Sequence, residues 1–423
     1  MNSFFQKFKL LVSDPILRNR LLFVIGALAV FRLLAAIPIP GINAAQLELF
    51  FSNNQFFGLL NLFSGGGLSN LSIVLLGVAP YITASIILQL MTIMIPRLKQ
   101  LYHEEGELGR QKFSQYTRML TLPLAIVQGI AFLMLLEQQG VVSSLSPLQF
   151  GANLVVITAG SMLLMWVGEL ISEFGLGNGV SVLIFAGIVA GLPQSISQAL
   201  FSFDQTQIPV YLAFLAAALA TVLAVVVVTE AERPVPVTYA KRVRGMKFFG
   251  GASTYLPLRL NQAGVIPIIF ALSFLLVPQM FASFFQTSSI PLIAAMSQAI
   301  MGGLNNLLIY GGLYFVFVFM FTYFYTAVTF DPHQIADNLQ KNGAFIPGVR
   351  PGGSTEEYLG KVITRITFVG ALFLGLIAVM PIIMQSVTGI QTLTLGGTAL
   401  LIVVSVILDL SRRIDAQISI REY

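Results

Sequence analysis

The chain has 423 residues, of which 56% are hydrophobic and only 10% charged, and its mean hydropathy is +0.85. Soluble domains carry about 25% charged residues, so this composition excludes a soluble globule and implies a polytopic membrane protein of net charge +5. Cysteine is absent, which excludes disulfides and thiolate metal sites; His103 and His333 stand far apart in polar loops without further ligands, so no metal or other cofactor is expected.

A membrane-crossing helix takes about 20 apolar residues. In chain order such runs lie near 21–40, 72–95, 119–137, 152–172 and 180–199, and a second set of five lies near 209–229, 264–285, 305–328, 362–385 and 393–411. The expected fold is an all-α polytopic membrane protein of ten transmembrane helices. It divides into an N-terminal segment (1–20), an N-terminal half (21–199), a C-terminal half (200–411) with long loops at 230–263 and 329–361, and a tail (412–423). Lys7, Lys9, Arg18 and Arg20 ahead of the first run also describe a signal peptide. That run, however, carries Arg32 and closes on Ile37-Pro38-Ile39-Pro40-Gly41, a helix end and not a small-residue cleavage site, so a retained helix is expected.

Between the first two spans the apolar run Leu59 to Phe63 stops at Ser64, Gly65, Gly66 and Gly67, then resumes as Leu68, Ser69, Asn70 and Leu71. Lipid cannot satisfy free backbone N–H and C=O groups, so a break of this kind implies surrounding protein or a water-filled cavity. An ordinary outer turn is the alternative. A phosphate loop is excluded, since no Lys-Ser or Lys-Thr follows the glycines. A second cluster, Gly175-Leu176-Gly177-Asn178-Gly179, joins two membrane helices and not a strand and a helix; it fits a tight turn with glycine or asparagine at positive φ better than a dinucleotide fingerprint.

Orientation follows from the loops, because cytoplasmic loops hold the excess of Lys and Arg. Of the 23 basic residues, 22 fall on one face, and only Arg32 lies elsewhere. Both termini are therefore expected in the cytoplasm, and the Gly-rich break is on the outer side. Within the spans Glu169, Glu173, Asp409 and Arg32 all sit near ends, and none lies clearly at mid-membrane. Neutral Thr83, Ser85, Gln89 and Gln128 more often join helices than bind substrate. An ion-driven inverted-repeat secondary transporter is thereby disfavoured, and it stands as the alternative.

The loops after spans six and eight are long enough to project. Apolar residues alternate in Val235 to Tyr239 and in Tyr255 to Leu260, a pattern of short hairpin strands, and Lys241, Arg242, Arg244 and Lys247 cluster between them. Orientation alone explains a basic excess; charge clustered at projecting tips also suits docking to an acidic protein surface or to ribosomal RNA phosphates.

These features, taken together, resemble a known family. Phe31-Arg32 with Ile37 to Gly41, Asn61 to Gly66, Ala79-Pro80-Tyr81-Ile82-Thr83-Ala84-Ser85, Glu105 to Glu107, Gln115 to Arg118, Gly177 to Gly179 with Ile184 to Ile188, Tyr239 to Arg242, Ala263 to Pro267, Gly343 to Gly352 and Leu400 to Val404 are similar, in this order, to bacterial SecY. The resemblance implies two inverted five-helix halves around an hourglass pore that opens sideways to lipid. It implies the pore-forming subunit of the Sec translocon, a passive channel without a catalytic site, which conducts unfolded secretory polypeptides and releases transmembrane segments into lipid. The implied partners are the small subunits SecE and SecG, the motor ATPase SecA, the ribosome, signal-peptide-bearing nascent chains and membrane lipid, with no DNA; the implied location is the bacterial inner membrane.

Carried over motif by motif, the resemblance makes Leu59 to Leu71 a movable plug helix and Val78, Ile82, Ile184, Ile188, Ile269 and Ile402 an aliphatic pore ring. Spacing alone does not select these six, since lipid contact and core packing need the same residues. An aliphatic ring gates water and ions by dewetting and offers a passing chain no polar contact to stick to. Lys241, Arg242, Arg244 and Arg350 would engage SecA or the ribosome. Spans two, three, seven and eight would form a lateral gate, with Gln128 as a polar gate residue and with Pro80, Pro267 and Pro278 inside gate helices that they allow to bend. One stretch would hold both plug and part of the ring, so plug displacement and gate movement are expected to be coupled.

Overall fold

The computed structural model describes residues 14–40, Gly67 and 71–419, except 104, 139, 141, 143–144, 202–207, 240–241, 245–246, 250–252, 286–289 and 389–393. The N-terminal half runs α1 (Pro15–Ala36), α2 (Ala79–Met94), α3 (Pro96–His103), α4 (Gly106–Gln138), α5 (Pro147–Phe174) and α6 (Gly179–Phe201). The C-terminal half runs α7 (Ile208–Glu230), strands β1 (Glu232–Tyr239), β2 (Arg242–Arg244), β3 (Lys247–Phe249) and β4 (Ser253–Arg259), then α8 (Ile266–Phe285), α9 (Pro291–Asn305), α10 (Leu307–Thr329), α11 (Pro332–Lys341), β5 (Ala344–Phe345), α12 (Gly353–Thr388) and α13 (Thr394–Ser419).

The ten expected spans each fall on one helix: α1, α2, α4, α5, α6, α7, α8, α10, α12 and α13. Among the described residues six helices are long and apolar enough to cross a membrane alone, or seven if α2 and α3, bent 115° apart, are one broken span. The chain is thus a multi-pass, all-α membrane protein. Starts follow capping chemistry. Asp14 accepts from Ile16 N and Leu17 N ahead of Pro15, and Ser146 and Gln149 form a capping box around Pro147. In the turn at Gly175–Gly179, Gly177 takes φ 88° and Asn178 caps α6 by accepting from Val180 N and Ser181 N.

Several boundaries differ from the sequence reading. The second span begins at Ala79 and not at 72, because Gly77 takes φ 56° and Pro80 sits at the second helical position; residues 71–78 form turns instead. α4 and α12 extend well beyond their apolar runs, so Arg118, expected in a loop, is helical.

The loop after span six forms the expected hairpin. β1 pairs antiparallel with β4 from Glu232↔Arg259 to Thr238↔Ser253. Pro234 faces Pro257, a pair with no N–H on either side, which confines it to a non-hydrogen-bonded position and fixes the register on both sides. The second loop, also expected to be hairpin-like, supplies α11, a sharp turn and β5 instead. β5 joins the free edge of β1 through Thr238↔Phe345 and Tyr239↔Ala344, so the two loops share one sheet of order β4-β1-β5. β1 alternates, burying Val235 and Val237 over Leu258, Ala344, Ile346 and the α12 residues Leu359, Val362, Ile363 and Ile366.

The main core spans both halves. Among the described residues the more extensive contacts between the halves are α8 against α2 and α4, and α13 against α6, which form two seams.

Candidate functional site

The six residues assigned to a ring arrive from four helices. Val78 caps α2, and Ile82 lies one turn on, its N–H donating to the Val78 carbonyl at 3.0 Å. Ile184 and Ile188 lie one turn apart on one face of α6, Ile269 stands in the first turn of α8, and Ile402 is on α13. All six are between 1% and 5% exposed and belong to one hydrophobic cluster, beside both seams between the halves.

Of the residues assigned to a plug, Ser64, Gly65, Gly66, Gly67, Leu68, Ser69, Asn70 and Leu71, only Gly67 and Leu71 lie among the described residues; both are buried. The Gly67 carbonyl accepts from Ser72 N at 2.7 Å, and Leu71 takes φ 39°. A void of about 10 Å³, bounded by Ile39, Leu71, Leu133, Leu136, Val142 and Asn153, lies beside it and is at the lower limit for one water.

The gate prolines require a correction. Pro80 and Pro267 occupy the second positions of α2 and α8, where an N–H has no helical partner in any case, so they start these helices and do not weaken them; Pro278 alone lies inside. Gln128 is half-buried on α4. α8 meets α2 and α4 directly and is backed by α10 through an aromatic stack, with Phe270 and Phe321 edge-on at 6.0 Å and Phe274 and Phe317 edge-on at 5.1 Å.

The segments that carry the residues assigned to docking leave one support. Arg242 and Arg244 are on β2, which pairs with β3, while Lys241 lies outside the described residues. Arg350 is exposed in a turn between Gly348 (φ 83°) and Gly352 (φ 93°), and its carbonyl accepts from Thr355 Oγ1 at 2.9 Å. β2 follows Tyr239 and Arg350 follows Phe345, so both tips root where β1 and β5 pair. At the base of the second loop His333 Nδ1 lies 2.9 Å from Glu356 and Nε2 lies 3.8 Å from Asp337. The bond to Glu356 first, and the neighbouring carboxylates next, raise the imidazole above its ordinary range.

Sequence reasoning missed two polar contacts. Arg118 donates to Glu169 at 2.7 Å, with Ser114 Oγ on the same oxygen at 3.3 Å, tying α4 to α5. Ser161 donates to the Gly77 carbonyl at 2.9 Å from a site that is 1% exposed. A Gly-Ser pair within an apolar run is the one signal that pointed there. Among the described residues no three of His, Cys, Asp and Glu gather as metal ligands.

The family model SecY matches residues 72–411. The protein translocase subunit SecY of Thermotoga maritima is 42% identical over 429 residues, covering 99% of this chain and 96% of that protein. A solved structure described as showing that the plug domain of SecY stabilises the closed state and maintains a membrane seal aligns with TM-score 0.65 and 18% identity, over 95% of this chain and 93% of that one. Sec61 in the canine ribosome-channel complex aligns with TM-score 0.62, 18% identity and the same coverage. At such identities the two structures establish a common fold.

Proposed function

The chain belongs to the SecY family, and from that premise we propose that it is the pore-forming subunit of a Sec-type translocon, passing unfolded secretory polypeptides across the bacterial inner membrane and releasing apolar segments sideways into lipid. The observation that carries this reading is the match of the SecY family model to residues 72–411, and it is supported by six aliphatic residues on four helices all being buried in the core that spans both halves. A seal of this kind closes by excluding water and opens by parting, without any bond to break.

Val78, Ile82, Ile184, Ile188, Ile269 and Ile402 form the constriction, and the stretch ending at Leu71 is the plug. The protein itself performs no covalent chemistry; work comes from a partner, the SecA motor or the ribosome, held at Lys241, Arg242, Arg244 and Arg350. SecE and SecG complete the complex. Both termini lie in the cytoplasm, in keeping with the basic residues on that face.

A single cysteine at Ile82 or Ile188 is expected to crosslink to a secretory chain stalled in transit. Labelling of these positions by lipid probes alone would remove the ring assignment.

A further inference from the structure

The backbone from Leu71 to Val78 is non-helical yet lies within a hydrophobic core, where its carbonyls depend on protein partners. Two adjacent residues of α5 receive it. Ser161 gives its hydroxyl to the Gly77 carbonyl at 2.9 Å. Gly160 has no Cβ, and one placed there would overlap the Ile73 carbonyl and crowd Val74. Gly77 at φ 56° then turns the chain into Val78, the cap of α2.

The same backbone is stitched on its other side to the end of α1. Ile39 N donates to the Leu71 carbonyl at 2.8 Å and Ile73 N donates to the Ile37 carbonyl at 3.0 Å, around a bridge between Pro38 and Ser72. Leu71, 1% exposed, is the one described non-glycine residue with positive φ, a strained conformation kept only where the surroundings over-determine it.

We propose that Gly160 and Ser161 are positioning residues of the channel, holding Leu71 to Val78 as a fixed strut against α5 so that Val78 keeps its place in the constriction. The strut fixes the start of α2 independently of the chain before Leu71, in contrast to the direct coupling that chain continuity suggests. The proposal rests on the assignment of Val78 to the constriction.

The test reads leak of potassium chloride through the idle purified channel in planar bilayers. Ser161→Ala leaves the buried Gly77 carbonyl unpaired and is expected to raise the leak about tenfold, the scale that one buried hydrogen bond sets on an equilibrium. Ser161→Thr keeps the hydroxyl and is expected to restore most of the seal. Glu169→Ala, which loosens α5 elsewhere, is expected to lower thermal stability without leak. A wild-type leak from Ser161→Ala, or an equal leak from Glu169→Ala, overturns the strut. If Ser161→Ala does not assemble, Gly160→Ala displaces the same backbone from the other contact, and an unchanged leak there overturns it as well. Val78→Cys separates the two readings. Crosslinking to a stalled secretory chain together with an unchanged Ser161→Ala leak refutes the strut alone, whereas absence of crosslinking refutes the constriction assignment.

Discussion

Leu359→Ala offers a sharp test of how the cytoplasmic face is built. Leu359 belongs to α12, not to either loop, and it is fully buried beneath Val235, Val237 and Leu258 of the first loop and Ala344 and Ile346 of the second. A buried Leu→Ala change costs about 2–5 kcal/mol, from lost transfer energy and the cavity left behind. This satellite core has only nine buried residues, so a loss of about 3 kcal/mol, roughly a hundredfold in an equilibrium constant, takes much of what holds it together. With opening fast relative to cleavage, trypsin digestion of the purified protein should quicken by about that factor, since proteolysis then follows the open population. Cleavage should rise in step after Arg244 or Lys247 and after Lys341, although the substitution lies in neither loop. Tyr255→Ala, at a strand position 65% exposed, should change little. Faster cleavage in one loop with the other unaffected would refute the shared core.

Arg118→Ala should leave Glu169 without its cation and lower the thermal stability of the complex by about 1–2 kcal/mol, between the values for buried and exposed pairs because Arg118 is half exposed; an unchanged melting profile would count against the α4–α5 tie. His333 has a raised pKa in the folded protein, so its link to Glu356 contributes in full below about pH 6.5, the ordinary histidine value, and is lost as pH rises through the folded value. Hydrogen exchange in α11 should therefore quicken as pH rises beyond its intrinsic base dependence, and His333→Gln should abolish that excess. Arg350→Glu should stop SecA-driven transport with the protein still folded in the membrane, and normal transport would dismiss its docking role.

Hydropathy reports apolar burial, and that is why a helix lies at each of the ten expected positions while several ends differ. The polar first turns of α4, from Gly106 to Arg118, and of α12, from Gly353 to Lys361, continue a helix that lipid no longer requires. The apolar residues 72–78 looked like helix because burial in protein and burial in lipid select the same side chains; Gly77 and Pro80 were the only marks of the true start. α9 escaped notice because its 15 residues are too few to span. The β1–β4 hairpin was readable from local alternation, but β5 was not, since two residues acquire strand character only from a partner about a hundred positions away. The ring could be named through family likeness and not through pattern: Ile184 and Ile188 differ from dozens of other aliphatic pairs only in where the helices bring them.

The three-stranded sheet has a further consequence for how force enters the molecule. β4 leads back through Leu260, whose N–H donates to the Ala231 carbonyl at 2.9 Å and whose own carbonyl lies against Gly370 of α12, where a Cβ would stand only 2.6 Å away. A partner that grips either loop tip therefore holds a single handle, rooted at once in the end of α7, the start of α8 and the flank of α12. Torque applied at that handle cannot be relieved by one loop slipping past the other, so it is delivered to the C-terminal half as one body, against the seam with α2 and α4.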